Sequence, residues 1–184
     1  MALSATVYHF EIELSDVDRS VYEALDLRLA RHPSESVRYL LTRTLAYCLS
    51  YERGIAFSKG GLSSSDDPPV AVWDDTGALQ AWIDVGAPSA KRLHKATKSA
   101  ERVSLFSPVA LPLLVAEAAS SPVHRLAEIE VWPLDAELID TVANKLDRKQ
   151  SFGLTRSDGT LYLALGNETY TSPLVLARLT PPEV

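Results

Sequence analysis

Apolar and polar positions change period several times along this chain. Thr6 to Leu14 (TVYHFEIEL) is rich in β-branched and aromatic residues and predicts a strand. After a turn at Ser15-Asp16, Leu25, Leu27 and Leu29 alternate with Asp26 and Arg28. That period of two predicts a second strand over Ala24 to Ala30, antiparallel to the first. The period then lengthens. Val37, Leu40, Leu41, Leu45, Cys48 and Leu49 form the apolar stripe of a helix over Glu35 to Glu52, with Ser34 as N-cap, Glu35 in the first turn and Gly54 beyond its end. Gly54 to Lys59 predicts a short strand and GGLSSS a flexible loop. Val70 to Trp73 and Leu79 to Asp84 predict a hairpin closed by Asp74-Asp75-Thr76-Gly77.

Downstream of that hairpin, Gly86 and Pro88 stop the strand and Ser89 caps a new helix. Leu93, Ala96, Ala100 and Val103 give its buried stripe, while Lys91, Lys95, Lys98 and Arg102 line another face. Further expected elements are a strand over Val103 to Phe106, a mostly buried helix over Pro112 to Ser120 and a strand over Leu126 to Trp132. A helix over Ala136 to Leu146, capped by Asp135, follows. Ser157-Asp158-Gly159 predicts a hairpin between Ser151 to Arg156 and Thr160 to Leu165, and Ser172 to Leu179 a last strand bordered by Pro173. With 184 residues and no linker, one domain over 1–184 is expected.

Composition narrows the classes. A hydrophobic share of 46% suits a packed soluble core, and no apolar run approaches the length of a membrane span. The start has no signal-peptide pattern, so the expected location is the cytoplasm. One cysteine excludes an internal disulfide and a thiolate metal cluster, and Cys48 lies on an apolar stripe. The net charge of −6 argues against a general nucleic-acid coat. It leaves a local basic strip, KRLHKATK from Lys91 to Lys98, which contains no acid. No Gly-rich phosphate loop, nucleophile elbow or histidine pair at metal-ligand spacing is present.

The hairpin places the candidate chemistry. Asp67 precedes its first strand and Asp84 ends its second, almost equally far from the turn, so both carboxylates arrive at one end of the sheet. Glu35 starts the first helix, where the helix dipole accounts for it equally well. Clustered carboxylates suit a hard divalent cation such as Mg²⁺, which polarises phosphoryl oxygens and activates water. A helix lysine beside them would stabilise the developing phosphorane. The combination matches phosphodiester hydrolysis.

The runs ARHPSE (30–35), DDPPVAVW (66–73) and WIDVGAPSAKRLHKA (82–96), together with the opening MALSATVYHFEIELSDVDR, resemble the YaeQ family over essentially the whole chain. That family is similar to the PD-(D/E)XK nucleases. The resemblance implies an α/β fold with a mixed, largely antiparallel central sheet flanked by helices and a restriction-endonuclease-like core. It implies catalytic roles for Glu35, Asp67, Asp84 and Lys95, with Asp67 and Asp84 holding Mg²⁺ or Mn²⁺. Where the motif places its lysine this chain has Gly86, and Lys95, in R-L-H-K-A on the following helix, is the migrated lysine, with Lys91 in reserve. Lys91 and Arg92 are expected substrate contacts. The implied partner is nucleic acid or another phosphodiester, a small molecule being compatible with the acidic balance. The alternative is a non-catalytic interaction or regulatory protein that retains the fold.

Overall fold

The structure is a computed structural model and describes residues 4–59 and 66–180. Among these residues the chain forms two five-stranded mixed sheets rather than one central sheet. The chain's two ends build the first. Strands β1 (Thr6–Asp16) and β2 (Val21–Arg31) form a long antiparallel pair, and β8 (Lys149–Ser157) joins β1 in parallel. β9 (Thr160–Leu165) and β10 (Glu168–Pro173) extend that sheet, in the order β10-β9-β8-β1-β2. The middle of the chain builds the second sheet from β3 (Ile55–Phe57), β4 (Val70–Trp73), β5 (Leu79–Val85), β6 (Arg102–Ser107) and β7 (Glu130–Pro133), in sequential order. The β1–β8 pairing joins residues about 140 apart, and no local pattern announces a contact of that range.

Helices α1 (Val37–Leu49) and α4 (Ala136–Ala143) share one buried cluster with the inner face of the first sheet and with Val70, Val72, Ala81, Ile83 and Val85 of the second. The other face of the second sheet, through Trp82, Val103, Leu105 and Val131, packs on α2 (Ala90–Ser99) and α3 (Leu111–Ala118). Alternation along β5 therefore separates two cores. Ala81, Ile83 and Val85 point to α1, whereas Trp82 and Asp84 point to the α2 side.

Several boundaries differ from expectation. Ser36, not Ser34, caps α1, accepting from the Tyr39 N–H at 3.1 Å, so Glu35 precedes the helix instead of occupying its first turn. Helix α2 ends at Ser99, which leaves Arg102 and Val103 on β6. Leu126–Glu128 is a 3₁₀ turn and only Glu130–Pro133 is strand. Arg125 enters that turn with φ of 48°, and its guanidinium donates to the Thr97 and Ala100 carbonyls at the end of α2. Helix α4 stops three residues before Leu146, and α3 buries only Leu114 and Ala118, leaving Leu113 exposed. The last strand is Glu168–Pro173, turned by Gly166-Asn167 and closed by a proline that cannot donate. Ala177 instead bridges to Val131. The predicted loop GGLSSS lies outside the described residues. Among the described residues no helix is long and apolar enough to cross a membrane.

Candidate functional site

β5 delivers Asp84 to the end of the second sheet, where the residue is 1% exposed. A buried carboxylate needs donors, and three surround it. Val85 N–H reaches Oδ1 at 3.1 Å, while Trp82 Nε1 and Arg92 Nε reach Oδ2 at 3.1 and 2.6 Å. Arg92 stands in the first turn of α2, whose N-cap Ser89 accepts from the Arg92 N–H. Its side chain leans back toward the strand end. Its guanidinium carbon lies 5.4 Å from the Trp82 ring centroid, and Nη2 donates to the Asp67 carbonyl at 2.9 Å. One arginine thus ties the end of β5 to the segment that leads into β4.

The hairpin register explains the convergence. Val70 pairs with Ile83, so the residues before β4 run alongside Asp84 and Gly86. Gly86 has φ of 78°, a conformation that strongly favours glycine. The turn from β5 into α2 thereby excludes a lysine at the position where the nuclease motif has one.

Lys95, expected on Asp84, donates instead to Asp66 Oδ1 at 2.6 Å. The cation on Asp84 is Arg92. Lys95, first by its hydrogen bond and then by its charge, holds the Asp66 carboxyl below its ordinary value, and Arg92 and Lys91 lower it further. Lys95, Arg92 and Lys91 of α2 thus all act on the Asp66 carboxyl.

Glu35 is 2% exposed and its two oxygens are already engaged. Arg43, two turns into α1, donates Nε to Oε1 at 3.0 Å and Nη2 to Oε2 at 3.2 Å, and His32 N–H reaches Oε2 at 3.2 Å. Arg43 also lies over the Phe57 ring, 5.4 Å from its centroid. Glu35 is thus the partner of a buried arginine rather than a dipole partner.

Tyr39, one turn into α1, stands between these two pairs. Burial first, then the Asp84 charge and more weakly that of Glu35, push its phenol up to about 12, against the opposing pull of Arg43 and Arg92. Its ring lies 3.9 Å from the position a side chain at Gly86 would take. Tyr39 and Arg43 are the site residues that sequence reasoning did not find. A charged residue among Leu40, Leu41 and Leu45 was the available signal for Arg43.

Asp67 and Asp84 supply hard carboxylate oxygens of the kind Mg²⁺ prefers. Asp84 Oδ1, with one hydrogen bond among the described residues, keeps an acceptor direction open to such an ion. Arg92 neutralises Oδ2, and an ion at that oxygen requires the guanidinium to swing outward.

The fold and site define a mixed α/β protein with two mixed sheets, in which buried Asp84 at the end of one of them meets Arg92 in the first turn of α2. The chain belongs to the YaeQ family: residues 1–173 match the family described as YaeQ protein. It is 31% identical over 165 residues to the uncharacterized protein YaeQ of Escherichia coli (strain K12), covering 89% of this chain and 91% of that one. It is 30% identical, at the same coverage, to the Salmonella typhi protein of that name. The crystal structure of YaeQ protein from Pseudomonas syringae superposes with a TM-score of 0.83 at 28% identity, over 96% of this chain and 97% of that one. YaeQ protein from Xanthomonas axonopodis pv. citri gives the same TM-score and identity over 95% and 99%.

Proposed function

We propose that this protein, a single domain over 1–184, acts on phosphodiesters in the cytoplasm, hydrolysing nucleic acid or a smaller phosphodiester with Mg²⁺ or Mn²⁺ held by Asp67 and Asp84. The observation that carries this is Arg92, which bonds both buried Asp84 and the Asp67 carbonyl, with Lys95 on the neighbouring Asp66. When bound, the ion supplies Lewis acidity to a phosphoryl oxygen and a more acidic water.

The chain's own residues do the rest. Arg92 presents a planar set of donors suited to phosphate, with Nε and Nη2 already directed into the site. Lys91 and Lys95 extend the positive strip along α2, and the helix N-terminus adds partial positive charge in the same sense. Lys95 acts on the Asp66-Asp67 side of the substrate, since its ammonium lies on Asp66. Tyr39 stays protonated at neutral pH and serves as a donor to a phosphate oxygen. The Glu35–Arg43 pair holds the start of α1 in place and is a positioning pair.

A second reading, binding of phosphodiesters without cleavage, is favoured by one observation. Glu35 and Asp84 already carry arginines, so their charges are compensated by protein alone. A panel of single- and double-stranded DNA and RNA with Mg²⁺ and Mn²⁺ separates the two. Cleavage lost in Asp84→Asn supports hydrolysis. Binding without cleavage, weakened by Arg92→Ala, supports the second reading. Neither binding nor cleavage of any member, nor of the small diester bis(p-nitrophenyl) phosphate tested beside the panel, overturns both.

A further inference from the structure

The outer face of the first sheet carries a second, independent constellation. His9 and Glu11 are two apart on β1 and share a face, and Glu11 lies directly opposite Asp26 on β2. His9 Nε2 is 2.8 Å from Asp26 Oδ1. One ligand atom from each of His9, Glu11 and Asp26 lies within 4.8 Å of the other two, and among the described residues this is the group with that geometry.

Two features set this apart from an ordinary charged surface. Like charges directly across an antiparallel pair repel, and the Glu11–Asp26 pairing falls in the middle of two 11-residue strands rather than at a frayed end. A cation between them turns that repulsion into attraction. The backbone that presents the three groups is also fixed from beneath, because the alternate residues Phe10, Ile12, Leu25 and Leu27 are buried. Beside the group, Ser151 Oγ on β8 donates to Glu11 Oε2 at 2.9 Å, a partner of the kind that orients a ligating carboxylate.

We propose that His9, Glu11 and Asp26 form a binding site for a divalent first-row transition metal of the zinc type. The imidazole decides the class. Mg²⁺ and Ca²⁺ take oxygen ligands, whereas Zn²⁺ accepts imidazole nitrogen and carboxylate oxygen together. On binding, Nε2 gives its lone pair to the ion. Any proton shared with Asp26 goes to the buffer, and small side-chain rotations close the three atoms on the metal. The fourth position faces solvent and takes water. Arg28 and Lys149 flank His9 on the neighbouring strands, and their charge limits affinity. The site lies on the sheet that does not contain Asp84, so it stands independently of the phosphodiester reading.

Titration of the untagged full chain with ZnCl₂ by calorimetry tests this, with Co²⁺ absorption as a second readout. One ion per chain, a Tm raised by about 5 °C at saturation and affinity cut by about tenfold or more in His9→Ala and Asp26→Asn are expected. The Co²⁺ bands should vanish in His9→Ala, and excess Mg²⁺ should not displace Zn²⁺. These surface changes leave the buried face untouched, and far-UV circular dichroism checks the fold. Absence of saturable binding at millimolar Zn²⁺ overturns the proposal. So does unchanged affinity in His9→Ala, which would assign the ion to other histidines.

Discussion

Arg92 and Lys95 are close on one helix and both carry positive charge, yet their surroundings give them different weight. Arg92 faces a carboxylate removed from water, whereas Lys95 and Asp66 meet in solvent. Removing the guanidinium leaves Asp84 buried and uncompensated, so Arg92→Met should cost about 3 kcal/mol, the low end of the buried-pair range because Arg92 is itself partly exposed. Lys95→Met should leave the urea midpoint unchanged within error. A double variant, Asp84→Asn with Arg92→Met, should recover part of the first loss. Equal midpoints for the two single variants would mean that Asp84 has another cation. Tyr39 gives a second check at this scale. Its folded-state pKa of about 12 exceeds the free value of 10.0, so the protonated phenol is favoured by folding. The associated stability is present below pH 10 and is lost as pH rises towards 12. Ultraviolet titration should show late tyrosine ionisation that is smaller by one residue in Tyr39→Phe, Tyr47 being raised as well, and that variant should lose less stability over this window.

At the scale of elements, much was legible in the sequence and the failures have identifiable causes. The hairpin over 70–85 follows from its turn residues and alternation, with Val70 paired to Ile83. Ser89 and Asp135 cap α2 and α4 because each stands just before an apolar periodic run. In the segment His32-Pro33-Ser34-Glu35-Ser36 the sequence pattern puts the cap at Ser34, and the structure puts it two residues later at Ser36. The Glu35–Arg43 pair accounts for this, by holding Glu35 outside the helix so that Ser36 takes the cap. Ser36→Ala should therefore cost about 1 kcal/mol. Ser34 bonds His32 Nδ1 at an exposed position, and Ser34→Ala should cost much less. The reverse order in chemical denaturation would put the cap back at Ser34. The choice of Arg92 over Lys95 for Asp84 was not legible. It depends on the Trp82 ring and the Asp67 carbonyl, which meet Arg92 only in three dimensions.

For the whole molecule, the chain order sets how the two sheets depend on each other. Residues 6–31 and 149–173 close the first sheet, and everything in the second lies between them. The parallel β1–β8 pairing therefore spans a loop that contains the entire second sheet, and it gains little unless that loop is folded. The inner face of the first sheet, α1, α4 and one face of the second sheet also bury into a single cluster. Leu45, fully buried on α1, belongs to that cluster. These features predict that the two sheets unfold together. The tryptophans allow a direct test, because Trp73, Trp82 and Trp132 all lie in the second sheet and the first contains none. Urea unfolding followed by tryptophan fluorescence reports the second sheet, and far-UV circular dichroism reports both. The two curves should coincide. Leu45→Ala should shift both to lower urea by the same amount, a loss of about 2–5 kcal/mol from the cavity at the shared core. A fluorescence transition that moves while part of the dichroism stays behind would show that the first sheet stands alone, and that the chain folds as two units.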